Sequence, residues 1–166
     1  MTTTTNNTFA ELVADDRKFI ELAYLAGFFD GEGCIMIQRA GKLYGAERNL
    51  RFYVRVSVVN TNSINLYRFS ELFGGHVSET FSKIPSHKNI YTWQISGKSA
   101  ANFLLVIQPF LKMKYDQAEL ALEFQRTHHN GNGRGGFWGY DVEEVEYREF
   151  LCDEVKRLNS RGNNGS

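Results

Sequence analysis

The chain has 166 residues, a formal net charge of zero and 42% hydrophobic residues, which suits one domain, or two small ones, with a substantial core. No apolar run approaches the length of a membrane span, and the Thr- and Asn-rich start lacks the basic and apolar regions of a signal peptide. We therefore expect an intracellular protein with no membrane partner.

The first predicted element is a helix that follows a flexible leader over residues 1–14. Asp15 or Asp16 can cap this helix, and an apolar stripe at helical spacing carries it to about Asp30. Gly27 and Gly31 lie four residues apart, so they share one helical face and let another helix come close. Each glycine costs about 1 kcal/mol relative to alanine, and close packing would explain the loss. Asp30 and Glu32 follow at the C-terminal end, where the helix dipole disfavours negative charge, which suggests a bound cation.

Two strands follow, predicted over Cys34 to Gln38 and Asn49 to Asn60, with a turn region from Gly41 to Ala46 between them. The second strand alternates, with four apolar residues on one face and four polar residues on the other: Phe52, Val54, Val56 and Val58 against Arg51, Tyr53, Arg55 and Ser57. Arginine pairs bidentately with guanine, so the polar face has the chemistry of a base-reading surface. A solvated polar face is the alternative for any single strand.

The same order then repeats. A helix from Asn62 or Ser63 stops at Gly74-Gly75, and a second strand pair is predicted over Val77 to Ser82 and Ile90 to Ser96. Three apolar residues should face the core and five polar residues should face out: Tyr91, Trp93 and Ile95 against His76, Ser78, Thr80, Thr92 and Gln94.

The rest of the chain is predicted to be largely helical. Helices over Ser99 to about Ile107 and Tyr115 to about Thr127 are separated by Pro109. After a Gly-rich loop at 128–140, a last helix at 141–159 should lie away from the polar strand face and precede a disordered tail at 160–166. We thus expect one domain, with its core over residues 15–127.

Charge is unevenly distributed along the chain. Residues 38–98 contain nine bases and three acids, an excess of six positive charges, whereas residues 115–158 contain five bases and ten acids. A net charge of zero counts against a nucleic-acid partner, but the basic middle restores that option.

One stretch carries a specific resemblance. Residues 25–33, Leu-Ala-Gly-Phe-Phe-Asp-Gly-Glu-Gly, resemble the signature of the LAGLIDADG homing endonucleases, with small residues at the small positions and acids at both acidic ones. The second acid is usually aspartate, and Glu32 keeps its charge with one more methylene. A core helix ending in a Gly-rich turn is the alternative. The resemblance extends over about residues 20–127 and implies an α/β (α+β) αββαββα core, in which a four-stranded antiparallel sheet lies as a saddle on DNA with helices on its other face.

The resemblance also implies a site and a reaction. Glu32 and the carbonyl of Gly31 would hold Mg²⁺ (or Mn²⁺), Lys114 would reach the site, with Lys112 as the alternative, and Asn60 would hold a water. The implied DNA-binding residues are Gln38, Arg51, Tyr53, Arg55, Ser57, His76, Ser78, Thr80, Thr92 and Gln94. Because the chain has one motif, we expect a homodimer packed through Ala23, Gly27 and Asp30 that cuts both strands of a pseudo-palindromic duplex across the minor groove and leaves 3′ overhangs.

Other functions remain open at this point. A maturase, which would bind intron RNA as a splicing cofactor, or a non-cleaving regulator would use the same scaffold. A nucleotide-binding P-loop at Ser96–Ser99 would need the earlier glycine that Thr92 replaces. The Gly131–Gly136 run matches a G-x-G-x-x-G pattern but lacks a preceding strand, and His128 and His129 have no second ligand cluster.

Overall fold

A computed structural model describes residues 9–41, 50–84, 86–127 and 142–161. Its elements are α1 (Phe9–Glu32), β1 (Gly33–Ala40), β2 (Arg51–Asn60), α2 (Ile64–Phe73), β3 (His76–Thr80), β4 (Ile90–Ser96), α3 (Gly97–Ile107), α4 (Tyr115–Thr127) and α5 (Val142–Arg161). A 3₁₀ turn at Gln108–Phe110 joins α3 to α4. This α+β order confirms the predicted fold. The leader at 1–8, most of the turn at 41–46, the loop at 128–140 and the residues from 162 on lie outside the described residues.

The strands form one antiparallel sheet in the order β1-β2-β4-β3. Residue pairs such as Ile35↔Val56 and Val58↔Trp93 place apolar side chains of neighbouring strands on the same face. That face is buried, as the alternation predicted. The polar side chains therefore share the opposite face.

The core between the sheet and the helices is aromatic. Trp93 of β4 stacks on Phe69 of α2, with ring centroids 4.9 Å apart, and Phe103 of α3 meets both rings edge-on. The Trp93 indole N–H donates to the carbonyl of Gly74 at 2.8 Å. The next residue, Gly75, has φ +90°, and a Cβ there would stand 2.6 Å from the Gln94 carbonyl oxygen, so glycine is required where α2 turns into β3.

Helix α1 begins earlier than predicted. It starts at Phe9, so Asp15 and Asp16 lie inside the helix and neither caps its N-terminus. The cap prediction rested on the local preference of aspartate. The preceding Ala10, Glu11 and Leu12 are good helix formers, and they extend the helix by more than a turn.

Helix α5 also extends further than predicted, to Arg161, so the disordered tail expected from residue 160 is wrong for residues 160 and 161. It packs against α4, in the helical layer, and against β1. Glu149 pairs with Arg39 at 3.1 Å, and the Asn159 amide donates to the Ile35 carbonyl at 2.9 Å. Ten helical residues cover about 15 Å and four strand residues about 13 Å, so α5 runs antiparallel along the free edge of β1.

Candidate active site

The end of α1 and the start of β1 are held in close contact. Leu25, Ala26 and Phe29 are all buried in the core and fix this end of the helix. A Cβ at Gly33 would stand 2.4 Å from the Phe29 ring and 2.5 Å from the Phe29 carbonyl oxygen, so only glycine fits where the helix becomes a strand. Glu32, one residue earlier, is exposed at this junction.

Asp30 has a structural role that the sequence did not reveal. Its side chain is buried, with 7% exposure, and its carboxylate accepts hydrogen bonds from the backbone N–H groups of Lys112, Met113 and Lys114 at 2.8–3.1 Å. Burial alone would raise the pKa of Asp30, but the three backbone donors and the charge of Lys114 outweigh it and lower the pKa.

The Asp30 carboxylate is bonded inside the chain and leaves little side chain exposed for a partner. A place for Asp30 in the dimer interface stays a prediction. Its charge does not require a bound cation, because backbone donors already compensate it against the helix dipole.

Lys114 reaches the C-terminal end of α1. Its ammonium group donates to the main-chain carbonyl of Asp30, whereas Lys112 is exposed to solvent. Burial raises the pKa of the Cys34 thiol at the start of β1, and the charge of Lys114 opposes this increase. The structure thus brings Lys114, rather than Lys112, beside the motif.

Asn60 lies at the same end of the sheet. Gly33 pairs with Val58, so the last residues of β2 lie beside the junction that carries Glu32. The Asn60 side-chain oxygen accepts a hydrogen bond from the backbone N–H of Asn62 at 2.9 Å, which is an ordinary turn-forming contact. A role in holding water stays a prediction.

The oxygen atoms at this junction suit a metal ion that is also bound by the phosphate groups of a substrate. Within residues 9–41, 50–84, 86–127 and 142–161, no three His, Cys, Asp or Glu side chains come together. Mg²⁺ typically uses one or two carboxylates together with waters and substrate phosphates. Glu32, the Gly31 carbonyl and the negative end of α1 therefore fit a cation completed by phosphate oxygens.

All ten predicted DNA-binding residues lie on the open face of the sheet. The register places on that face, strand by strand, Cys34, Met36, Gln38 and Ala40; Arg51, Tyr53, Arg55, Ser57 and Val59; His76, Ser78 and Thr80; Ile90, Thr92, Gln94 and Ser96. Among these described strand residues the face carries no acid, so it suits a polyanion. Cys34 and Met36 were not among the predicted residues of this face, although they alternate with the buried Ile35 and Ile37 along β1.

An exposed stripe runs along α1. Ile20 and Tyr24 are 65% and 60% exposed, and Gly27 and Gly31 follow on the same face. Apart from the adjoining residues and the backbone of α1 itself, no described atom lies within 4 Å of where a Cβ would stand at either glycine. Ala23 lies beside this stripe and is half-buried. None of the described helices is long and apolar enough to cross a membrane.

A family model for LAGLIDADG endonucleases matches residues 25–119, more than half of the chain. The chain belongs to the LAGLIDADG endonuclease family. No curated protein matched in a sequence comparison.

Solved structures share this fold. The chain is 23% identical to the homing endonuclease I-CvuI in complex with the I-CreI target, over 86% of this chain and 83% of that one, with a TM-score of 0.65. It is 18% identical to the archaeal intron-encoded homing endonuclease I-Vdi141I complexed with DNA, over 85% of both chains, with a TM-score of 0.65. Against the DNA-bound LAGLIDADG endonuclease I-LtrWI the identity is 12%, over 93% of this chain and 46% of that one, with a TM-score of 0.54.

Proposed function

We propose that this LAGLIDADG protein is a site-specific homing endonuclease that binds a long pseudo-palindromic duplex as a homodimer and hydrolyses both strands. The observation that carries the proposal is the position of the Lys114 ammonium against the Asp30 carbonyl, two residues before Glu32, at the end of α1 that leads into the sheet. The described strand residues on the open face of that sheet include no acid. Residues 15–127 would form the DNA-binding and catalytic core, with α5 attached to the edge of β1.

The homodimer follows from the single motif. One site cuts one strand, so a duplex break needs a second copy of the site. The stripe of Ile20, Tyr24, Gly27 and Gly31 offers the surface for it, because two helices can approach closely where side chains are missing. A two-fold dimer reads a two-fold sequence, which makes the expected target pseudo-palindromic.

The residues at the junction have complementary roles in the proposed hydrolysis. A divalent cation such as Mg²⁺ or Mn²⁺ would lower the pKa of a bound water and neutralise phosphate charge. Glu32 and the Gly31 carbonyl would hold it, the Lys114 ammonium would stabilise charge developing on the scissile phosphate, and Asn60 would orient a water. The I-CvuI structures were obtained with 2 mM Mg, with DNA not cleaved, and with 2 mM Ca, which supports a divalent ion without identifying it. The family resemblance adds that the two strands would be cut across the minor groove, leaving 3′ overhangs.

The test is selection from a randomised duplex library in the presence of Mg²⁺, with wild type, Glu32→Gln and Glu146→Gln side by side. Glu146 is an exposed glutamate of α5, so Glu146→Gln makes the same chemical change away from the junction. We expect one long, near-palindromic site that wild type and Glu146→Gln cut and that Glu32→Gln only binds.

Other outcomes separate the alternatives. Binding without cleavage by the wild type with either Mg²⁺ or Mn²⁺ would favour the non-cleaving maturase or regulator, since Glu32 replaces the usual aspartate. Failure to select any duplex would overturn DNA recognition and direct the selection to intron RNA.

A further inference from the structure

Three polar side chains from three neighbouring strands meet at the middle of the open face. The Arg55 guanidinium of β2 donates to the side-chain oxygen of Gln38 on β1 at 3.4 Å and to that of Gln94 on β4. Gln38 lies opposite Tyr53 and Gln94 lies opposite Ser57, so the three residues form a diagonal row across the sheet. We call Gln38, Arg55 and Gln94 the donor row.

The chemistry of arginine fixes the orientation of both glutamines. A guanidinium has five N–H donors and no acceptor, so each glutamine must turn its oxygen toward Arg55. The reverse orientation would place donors against donors. Both amide oxygens point at Arg55, so the two amide N–H₂ groups and the remaining guanidinium N–H groups are the donors that the row offers to a ligand.

We propose that the donor row acts as one reading unit, which selects guanine at the base pair under Arg55 and an acceptor-bearing base edge at the neighbouring pairs. The inference rests on the proposed DNA binding by this face. In the major groove guanine offers the acceptors N7 and O6, whereas cytosine offers an N4 donor and adenine an N6 donor beside its N7. Strands about 4.8 Å apart and base pairs about 3.4 Å apart let the row cover two or three successive pairs.

The row also couples its members. Arg55 is a long side chain that would sample many rotamers on an open face, and contacts from both sides restrict it. Gln94 therefore has two separable roles: its oxygen positions Arg55, and its amide N–H₂ reads a neighbouring base. A residue that only contacted its own base would affect one position of the target.

The experiment compares the selected target of the wild type with those of Gln94→Glu, Gln94→Met and Gln125→Met. Glutamate keeps an oxygen for Arg55 but removes the amide donors, and methionine removes both. Gln125 lies on α4 in the helical layer, so Gln125→Met makes the same chemical change outside the predicted DNA-binding residues.

In the wild-type target we expect guanine under Arg55 and acceptor-bearing bases beside it. Gln94→Glu should keep the guanine preference and shift the neighbouring position, by about tenfold or more, toward cytosine or adenine, whose amino groups a carboxylate accepts. Gln94→Met should weaken the base preference both at the pair under Arg55 and at the neighbouring pair. Gln125→Met should leave both positions unchanged, and equal melting temperatures would show that all variants fold.

Two results would overturn the inference while leaving the endonuclease intact. One is a wild-type target that shows no guanine preference, in either half-site, among the base pairs that the row covers. The other is a Gln94→Met target that changes at one position only, which would show that Arg55 does not depend on Gln94. A protein that selects no duplex would overturn the proposed function and this inference together.

Discussion

Asp30 and Lys114 are joined at two points. The Asp30 carboxylate accepts the backbone N–H of Lys114 at 2.8 Å, and the Lys114 ammonium donates to the Asp30 main-chain carbonyl. This double contact ties the end of α1 to the segment that leads into α4, across 84 residues of sequence. Because Glu32 lies two residues after Asp30, the same contact sets the position of Lys114 relative to Glu32.

The first prediction concerns Asp30→Asn. The amide would place N–H₂ against backbone donors, so we expect a loss of about 3 kcal/mol in the free energy of unfolding at pH 7. The pKa of Asp30 is lower in the folded chain than its ordinary value of 3.8. Its ionised form therefore stabilises the fold above that value, and the contribution is lost as the pH falls through the lower, folded pKa.

Urea denaturation of the wild type and Asp30→Asn across this pH range measures both effects. The difference in the free energy of unfolding between the two proteins should be largest at pH 7. It should narrow below pH 3.8, because only the wild type has a carboxylate at position 30 that loses its charge in that range. A gap that stays constant down to acid pH would contradict the carboxylate's role.

The second prediction concerns the junction glycine. Gly33→Ala should destabilise the fold by about 1–3 kcal/mol, because the new Cβ would overlap the Phe29 ring and the Phe29 carbonyl oxygen. Gly31→Ala is the matched control, since a Cβ there would meet no described atom outside the adjoining residues and the α1 backbone, and alanine favours helix. Thermal denaturation compares the two variants. An equal drop in melting temperature would show that packing against Phe29 is not the cause.

The fold was predictable to the extent that it follows from local periodicity. Alternation along β2 and β4 assigned the two faces of the sheet, because side chains of a strand point to opposite sides whatever lies around them. Gly74-Gly75 marked the end of α2 because the backbone there needs positive φ.

Contacts between distant segments were not predictable. The hydrogen bonds of the Asp30 carboxylate could not be read from the sequence, because its donors come from residues 112–114, more than 80 positions away. The end of α5 was misplaced for the same reason, since Asn159 bonds to Ile35 across 124 residues. The donor row likewise needed the strand order, which brings Gln94 beside Arg55.

The third prediction tests the exposed stripe of α1. Gly27→Leu should leave the folded chain intact, because Gly27 is exposed within the described structure, but should weaken the homodimer by preventing close approach of a second helix. Sedimentation equilibrium would measure the dimer dissociation constant, and we expect at least a tenfold increase. Glu146→Leu, which adds the same side chain at an exposed position of α5, is the control. A dimer unaffected by Gly27→Leu would place the interface elsewhere.

The fourth prediction concerns the two contacts that attach α5 to β1. Asn159→Ala removes a partly buried hydrogen bond to the edge of the sheet and should cost about 1 kcal/mol. Glu149→Gln breaks an ion pair whose side chains are 45–47% exposed, so its cost should be under about 0.5 kcal/mol. Hydrogen exchange of the α5 amides would show the difference, with faster exchange in Asn159→Ala. Faster exchange in Glu149→Gln than in Asn159→Ala would mean that the ion pair, rather than the hydrogen bond, holds α5 on β1.

The last prediction separates the two lysines. Lys114→Met should reduce the rate of strand cleavage by about 100-fold or more while the protein still binds its selected target, because the ammonium beside Asp30 would act on charge that develops during the reaction. Lys112→Met removes an exposed charge and should leave the single-turnover rate within a few-fold of wild type, with at most weaker binding at higher salt. Single-turnover cleavage at saturating protein measures the chemical step apart from affinity. If Lys112→Met reduced the single-turnover cleavage rate more than Lys114→Met did, the contact between Lys114 and Asp30 would be structural. Lys112 would then be the residue that reaches the scissile phosphate.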